Sequence, residues 1–173
     1  MTTRMTRRTF AACITAYAPG VGLAGMTVAV RAAGDISHTA ESIHQEVLIQ
    51  AAATRIYDVL TDARQFTKLT TFSPVKNAAP ARIGRAAGDT FSLFGGHIIG
   101  RHLELVPAQR IVQAWRVVDW APGIYSIAKF DLIDQGSQTT ISFDHTGFPN
   151  GKAEHLAEGW KLNYWEPLKK YLA

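Results

Sequence analysis

From about residue 89 onward, apolar and polar positions alternate in short runs that are separated by turn residues. Ala128, Phe130 and Leu132 share one parity, and Lys129 and Asp131 share the other. This alternation predicts strands with one buried face and one wet face. Because short turns join consecutive runs, we predict an antiparallel meander. Its strands cover residues 89–93, 97–106, 110–119, 125–133 and 138–146.

Other segments change period. Residues 43–50 alternate as a first strand, and residues 53–61 then place Ile56, Val59 and Leu60 at helical spacing. Residues 67–87 are irregular, and we expect a short helix, a loop and an edge strand there.

The last segment, residues 152–172, repeats apolar residues every three or four positions. This pattern predicts an amphipathic helix of five to six turns, with a kink in its last turn at Pro167. A single long helix across a curved sheet touches it closely in one place and lifts off elsewhere. We therefore expect an α+β domain over residues 40–173 with a cavity between the sheet and this helix.

The first 34 residues read as a leader. The pair Arg7-Arg8 is followed one residue later by Phe10, which resembles the twin-arginine export motif. A weakly apolar stretch and small residues follow, so we predict that 1–34 is a signal peptide cleaved near Ala32–Asp35. The mature chain is then expected in the periplasm or outside the cell, exported by the twin-arginine route. Interruptions by Gly and Pro argue against a stable membrane span.

Charge and cysteine content narrow the classes of partner. The net charge of +4 comes from four arginines in residues 1–34, and the rest holds 14 basic and 14 acidic residues. A neutral body lacks the positive field that nucleic acid binding needs. The single cysteine, Cys13, falls in the leader, so the mature chain would hold no disulfide and no cysteine-ligated metal.

Short motifs along residues 43–172 resemble, in order, a known family. They resemble the START-like superfamily, in the branch of homologues of the C-terminal domain of the activator of the heat-shock-protein-90 ATPase. The matching segments are Ala51-Ala52, 56–62, 88–91, Gly100 with 103–107, 110–112 with Trp115, 139–147, Gly159-Trp160 and 168–172.

The resemblance implies a helix-grip fold: a curved antiparallel sheet packed on a long C-terminal helix, with two short helices after the first strand. It also implies a hydrophobic cavity. Ala52 replaces the family's usual proline, and the tryptophan that usually ends the second helix is absent, with Leu69 nearby. The mouth of the cavity is therefore expected to be wider or differently shaped.

Aromatic residues at strand positions, two on the predicted C-terminal helix and one beside a turn are candidates for the cavity wall. The ligand-binding candidates are Phe91, Trp115, Tyr125, Phe130, Phe143, His145, Trp160 and Tyr164. Each could equally fill an ordinary core, and Tyr125 could be a plain surface aromatic.

His145 is the one candidate that could also be catalytic, as an acid or base. A structural role is the favoured interpretation, because no carboxylate shares its strand face. The spacing of His97, His102 and His155 does not predict a metal site, and we expect no cofactor.

Three functions remain open. The first is an exported binder or carrier of a hydrophobic small molecule or lipid. The second is a polyketide cyclase or dehydratase that uses His145. The third, a co-chaperone-like ATPase regulator, follows from the family resemblance alone, and export from the ATP-containing compartment argues against it. The residues do not identify the ligand or the oligomeric state.

Overall fold

A computed structural model describes residues 41–75 and 79–173, so the predicted signal peptide lies outside the described residues. Seven antiparallel strands form one curved sheet in the order β1-β7-β6-β5-β4-β3-β2. The strands are β1 Ser42–Ile49, β2 Arg82–Ile83, β3 Thr90–Leu93, β4 Ile98–Val106, β5 Arg110–Val117, β6 Ser126–Asp134 and β7 Thr139–Thr146. The predicted α+β helix-grip fold is confirmed.

Helices cover one face of this sheet. They are α1 Ala53–Thr61, α2 Ala63–Thr70, α3 Ala153–Trp160 and α4 Glu166–Leu172, and a five-residue π-helical turn, Lys161–Trp165, joins the last two. We call α3, this π turn and α4 together the C-terminal helix.

Helix α2 begins earlier than the irregular segment predicted from the sequence. The Asp62 carboxylate accepts hydrogen bonds from the backbone N–H groups of Arg64 and Gln65, each at 3.0 Å. This N-cap satisfies donors that would otherwise have no partner, so the helix can start directly after α1. Phe66 and Leu69 then point into the core at helical spacing.

Strand parity agrees with the predicted two-faced sheet. In β6 and β7 the inward side chains are fully buried, and Phe130 lies opposite Phe143 in the register. On the outer face, Lys129 pairs with Asp131 at 3.1 Å and with Asp144 at 3.0 Å. The outer face of β6 and β7 therefore carries charged pairs in contact with solvent, and the core lies between the inner face and the helices.

The C-terminal helix widens into the π turn just before Pro167, the residue at which a kink is predicted from the sequence. Pro167 has no N–H, so the carbonyl of Asn163, four residues earlier, loses its usual helical donor. The N–H of Glu166 instead reaches back five residues to the carbonyl of Lys161. The extra residue in this turn lets the consecutive side chains Tyr164 and Trp165 both be buried.

Glu41, the residue before β1, binds the start of α3 in an arrangement that we call the clasp. The Glu41 carboxylate accepts hydrogen bonds from the backbone N–H groups of Gly151, Lys152 and Ala153, at 2.8 to 3.2 Å. The bond from Gly151 is the main cause of the lowered pKa of Glu41, and the negative charge suits the positive end of the helix dipole. Among the described residues, we find no helix with the length and apolar character needed to span a bilayer.

Candidate ligand-binding site

A cavity of about 260 Å³ lies where the C-terminal helix separates from β4 and β5. Its wall is largely apolar and comes from both layers of the fold. The lining residues are Val75, Phe94, His97, Ile98, Trp115, Val117, His155, Leu156, Gly159, Trp160, Asn163 and Tyr164.

A tight left-handed turn places one wall of this cavity. Phe94 has a φ of 50°, and Gly95 and Gly96 follow at 69° and 94°. A bulky residue in this region is an outlier that costs on the order of 1–3 kcal/mol. In return, the Phe94 ring packs edge-to-face against the rings of Phe66 and Tyr164, with centroid distances of 5.6 Å in both pairs.

Gly159 leaves bare helix backbone facing the cavity. A Cβ atom built there meets no heavy atom of the described residues within 4 Å, apart from its own helix and chain neighbours. Glycine inside a helix destabilises it by about 1 kcal/mol relative to alanine. Because close packing does not require this glycine, its visible effect is to keep the cavity open.

Two of the aromatic residues that line the cavity carry polar atoms that are themselves buried. Within residues 41–75 and 79–173, the indole N–H of Trp115 and the hydroxyl of Tyr164 have no hydrogen-bond partner at normal geometry, although the two groups lie near enough for the indole to lower the pKa of the hydroxyl. Burial raises the pKa of Tyr164 well above its usual value, and the nearby Trp115 indole only partly opposes this. Leaving such a group unpaired costs about 1–3 kcal/mol.

Asn163 contributes a third unpaired atom. Its Nδ2 donates to the carbonyl of Gly159 at 3.0 Å, and since a carbonyl can only accept, this bond fixes the orientation of the amide. The buried Oδ1 then has no donor among the described residues.

His145 lies behind this cavity, in a fully paired group. Trp160 donates its indole N–H to His145 Nδ1 at 3.0 Å, so the ring proton must be on Nε2. The Nε2 atom lies 2.7 Å from Ser126 Oγ, and that hydroxyl donates to the carbonyl of Trp115 at 2.9 Å. Burial lowers the pKa of His145 to about 4, so the ring is neutral near pH 7. A proton on Nδ1 would face the Trp160 donor directly.

The eight residues predicted from the sequence divide into three groups. Trp115, Trp160 and Tyr164 line the cavity. Phe91, Phe130, Phe143 and His145 are buried in the core and do not line the cavity. Tyr125 is 47% exposed and its ring covers the Arg116 guanidinium at 5.5 Å.

Most of the cavity wall was not predicted from the sequence. Val117 and Ile98 have inward parity and could have been found from the strand pattern. Gly159 had a visible signal, a glycine within an amphipathic helix. No pattern in the sequence indicated Phe94 or Asn163. The position of Phe94 depends on the left-handed turn, and that of Asn163 depends on the π turn.

Other histidines do not form a metal centre. No group of three or more metal-ligating side chains occurs in the described part of the chain. His97 and His155 are exposed and lie at the rim of the cavity. His102 is buried against Phe91, with ring centroids 5.3 Å apart, and burial lowers its pKa.

Solved structures share this fold. An HSP90 activator from Plasmodium falciparum is 25% identical with a TM-score of 0.68, over 76% of this chain and 95% of that one. CalU16 from Micromonospora echinospora is 17% identical with a TM-score of 0.63, over 78% of this chain and 77% of that one. At the lower identity, the likeness concerns the fold alone.

Curated relatives are similar over part of the chain. The human activator of 90 kDa heat shock protein ATPase homolog 1 is 29% identical over 92 residues, which are 53% of this chain and 27% of the human protein. The Dictyostelium discoideum activator homolog is 36% identical over 83 residues, which are 47% of this chain and 22% of that protein. The match thus spans about a quarter of the length of these relatives.

The family model described as activator of Hsp90 ATPase homolog 1-like protein matches residues 50–173, which is most of the chain. The motifs on which the resemblance was based lie almost entirely within this range. The chain therefore belongs to the family of activator of Hsp90 ATPase homolog 1-like proteins.

Proposed function

We propose that this protein binds an apolar small molecule in the cavity between β4, β5 and the C-terminal helix. The observation that carries the proposal is the apolar cavity of about 260 Å³, at an interface that is closely packed elsewhere. Ligand sites are typically concave and mostly apolar, with few polar groups. The helix-grip fold is itself a ligand-binding fold.

The size of the cavity favours a compact guest over a lipid. An apolar cavity of about 150 Å³ can hold benzene, and drug-sized ligands occupy about 300–1,000 Å³. The volume of 260 Å³ lies between these values and suits one or two fused rings. A long acyl chain would have to leave the cavity through the rim.

Gly159 gives a direct test of this proposal. In Gly159→Phe the new side chain should grow into the cavity, whereas Gly159→Ala adds one methyl group and serves as the matched control. We expect naphthalene to bind the wild type and Gly159→Ala with similar affinity, measured by quenching of tryptophan fluorescence. Binding to Gly159→Phe should fall at least tenfold. Equal binding to all three proteins, or no binding to the wild type, would refute the proposal.

The geometry gives no support to a cyclase that uses His145 as acid or base. Both ring nitrogens contact Trp160 and Ser126 within the core, and the residue does not line the cavity. A general acid or base must reach its substrate directly or through one water molecule.

A second proposal is regulation of an Hsp90-type ATPase. Its support is the similarity to the Plasmodium protein and to the human relative, each of which is named as an Hsp90 activator or its homolog. The measurement is the ATPase rate of Hsp90 with and without this chain. An increase would support the proposal, and an unchanged rate at saturating concentration would end it.

Export is a separate proposal. It is supported by Arg7-Arg8 with Phe10 and by the small residues before Asp35. N-terminal sequencing of protein from the periplasm or medium should find a new end near Ala32–Asp35. Recovery of the chain only in the cytoplasm with Met1 intact would contradict export.

A further inference from the structure

The polar side chains that a guest of the cavity can reach lie at its rim. We infer that the cavity takes a ring compound that carries a carboxylate group, with the ring inside and the carboxylate at the rim, where His97 and His155 can bind it. This inference rests on the proposed binding function and names the class of ligand for the same site.

The inner wall of the cavity, by which we mean Trp115, Trp160, Asn163 and Tyr164, offers no side-chain hydrogen bond to a guest. Neighbouring protein atoms cover the Trp115 indole nitrogen, Asn163 Oδ1 and the Tyr164 hydroxyl. Asn163 Nδ2 is bonded to the carbonyl of Gly159, and the Trp160 N–H is bonded within the core. A polar group placed against this wall would lose its hydration and gain no partner. The inner end of the guest is therefore apolar.

The rim carries two exposed imidazole rings, one from each layer of the fold. His97 follows the left-handed turn between β3 and β4, and His155 lies in the first turn of α3. The backbone of His97 is fixed on both sides: its N–H donates to the Phe94 carbonyl at 3.3 Å, and its carbonyl accepts from the Val118 N–H at 2.9 Å. The clasp formed by Glu41 holds the start of α3. Each ring is therefore attached to an anchored stretch of backbone.

A carboxylate is the polar group that suits this rim. Imidazole has at least one N–H donor in either protonation state, so each of the two rings can donate to one of the two carboxylate oxygens. Among the described residues, the cavity lining includes no Asp or Glu that would repel an anion or attract a cation. Because both histidines are exposed, a carboxylate beside them keeps part of its hydration, and the large cost of burying a charge does not arise.

The ligand-side test compares four naphthalenes on the wild-type chain by titration of tryptophan fluorescence. We expect 2-naphthoate to bind about fivefold more tightly than naphthalene, which is the order of one added hydrogen bond. Methyl 2-naphthoate, the uncharged ester, should bind less tightly than the acid, and the cation of 2-(aminomethyl)naphthalene should bind least. If naphthalene or the ester binds as tightly as 2-naphthoate, the inference is overturned and the proposed function is intact.

The protein-side test removes one imidazole at a time. His97→Ala and His155→Ala should each reduce the preference for 2-naphthoate over naphthalene by about threefold and leave the affinity for naphthalene unchanged. The matched control is His44→Ala, since His44 is exposed on β1 and does not line the cavity. Gly159→Phe should weaken the binding of both compounds, because the ring occupies the same cavity in each case. A preference that both rim variants retain, or 2-naphthoate binding that Gly159→Phe leaves intact, would overturn the inference. Failure of all four compounds to bind would reject the proposed function itself.

Discussion

The two halves of the interface between the sheet and the C-terminal helix differ in the hydrogen bonding of their buried polar atoms. In what we call the closed half, around Phe143, His145 and Trp165, every side chain with a polar atom has a partner. Trp165 donates to Gln45 Oε1 at 2.6 Å, and Gln45 donates to the carbonyl of Ala157 at 3.1 Å. In the open half, around Trp115, Gly159 and Tyr164, buried polar atoms are unpaired.

Trp160 belongs to both halves and marks their boundary. Its ring lies 4.4 Å from Phe143 on one side and 4.3 Å from Tyr164 on the other, measured between centroids. The C-terminal helix thus packs closely against the sheet on one side of Trp160 and borders the cavity on the other side. The difference indicates that the closed half contributes stability through its bonded groups, whereas the unpaired groups of the open half lower stability.

The largest expected effect lies in the closed half. His145→Ala removes a buried ring and leaves the Trp160 N–H without its acceptor, so the free energy of unfolding should fall by about 4 kcal/mol. Urea denaturation followed by circular dichroism measures this. The control His155→Ala, at the exposed rim, should change it by less than about 0.5 kcal/mol. Similar values for the two variants would remove the contrast between the halves.

Acid should weaken the closed half through the same residue. Burial lowers the pKa of His145 to about 4, below its unfolded value of about 6.5. Between these pH values, His145 is protonated in the unfolded chain and neutral in the folded chain. The free energy of unfolding therefore falls as the pH drops from 6.5 toward 4. The loss due to His145 should reach about 3 kcal/mol, with no loss from this source above pH 7.

His145→Gln can separate this contribution from that of others. Glutamine can accept from Trp160 and donate to Ser126 but does not titrate. The variant should lose less stability than the wild type between pH 6.5 and 4, and the remaining slope would include His102, whose pKa is also lowered. An unchanged slope in this variant would show that His145 is not the group that titrates.

Removing one buried hydroxyl from each half should give different results. Ser126→Ala deletes a hydroxyl that bonds to His145 and to the Trp115 carbonyl, and should cost about 2 kcal/mol. Tyr164→Phe removes a buried hydroxyl without a partner, so stability should rise by about 1–3 kcal/mol. Thermal unfolding of both variants in the same buffer tests this. Equal losses would show that the Tyr164 hydroxyl is bonded in solution.

The smallest effect is a gain. Gly159→Ala should stabilise the chain by about 1 kcal/mol, because alanine favours the helix and its Cβ meets no packed atom. The midpoint of chemical denaturation measures it. A loss of stability would mean that the helix closes over the cavity in solution.

The layout of the fold could be predicted because it depends on periodicity. Alternation in β6 and β7 and the spacing of Leu156, Trp160 and Leu168 are set by strand and helix geometry, and both are visible in the sequence. The start of α2 was missed although its signal, Asp62 before a run of helix formers, was present.

The cavity wall was harder to predict, because parity gives the inward face of a strand but not the distance to the opposite layer. Phe130 and Phe143 share an inward parity with Trp115, yet only Trp115 lies where the helix has separated from the sheet. The positive φ of Phe94 and the extra residue in the π turn depend on tertiary packing, which a local pattern does not record.

The clasp formed by Glu41 determines how many residues can be removed before β1 without loosening α3. Its carboxylate is the only side-chain group, within the described ranges, that bonds to the N–H groups of Gly151, Lys152 and Ala153. A chain shortened to begin at residue 42 would lose that anchor, and the first turn of α3 would fray beside Leu156. Proteolytic trimming by a few residues at one terminus would then loosen the wall of a cavity more than a hundred residues away in sequence.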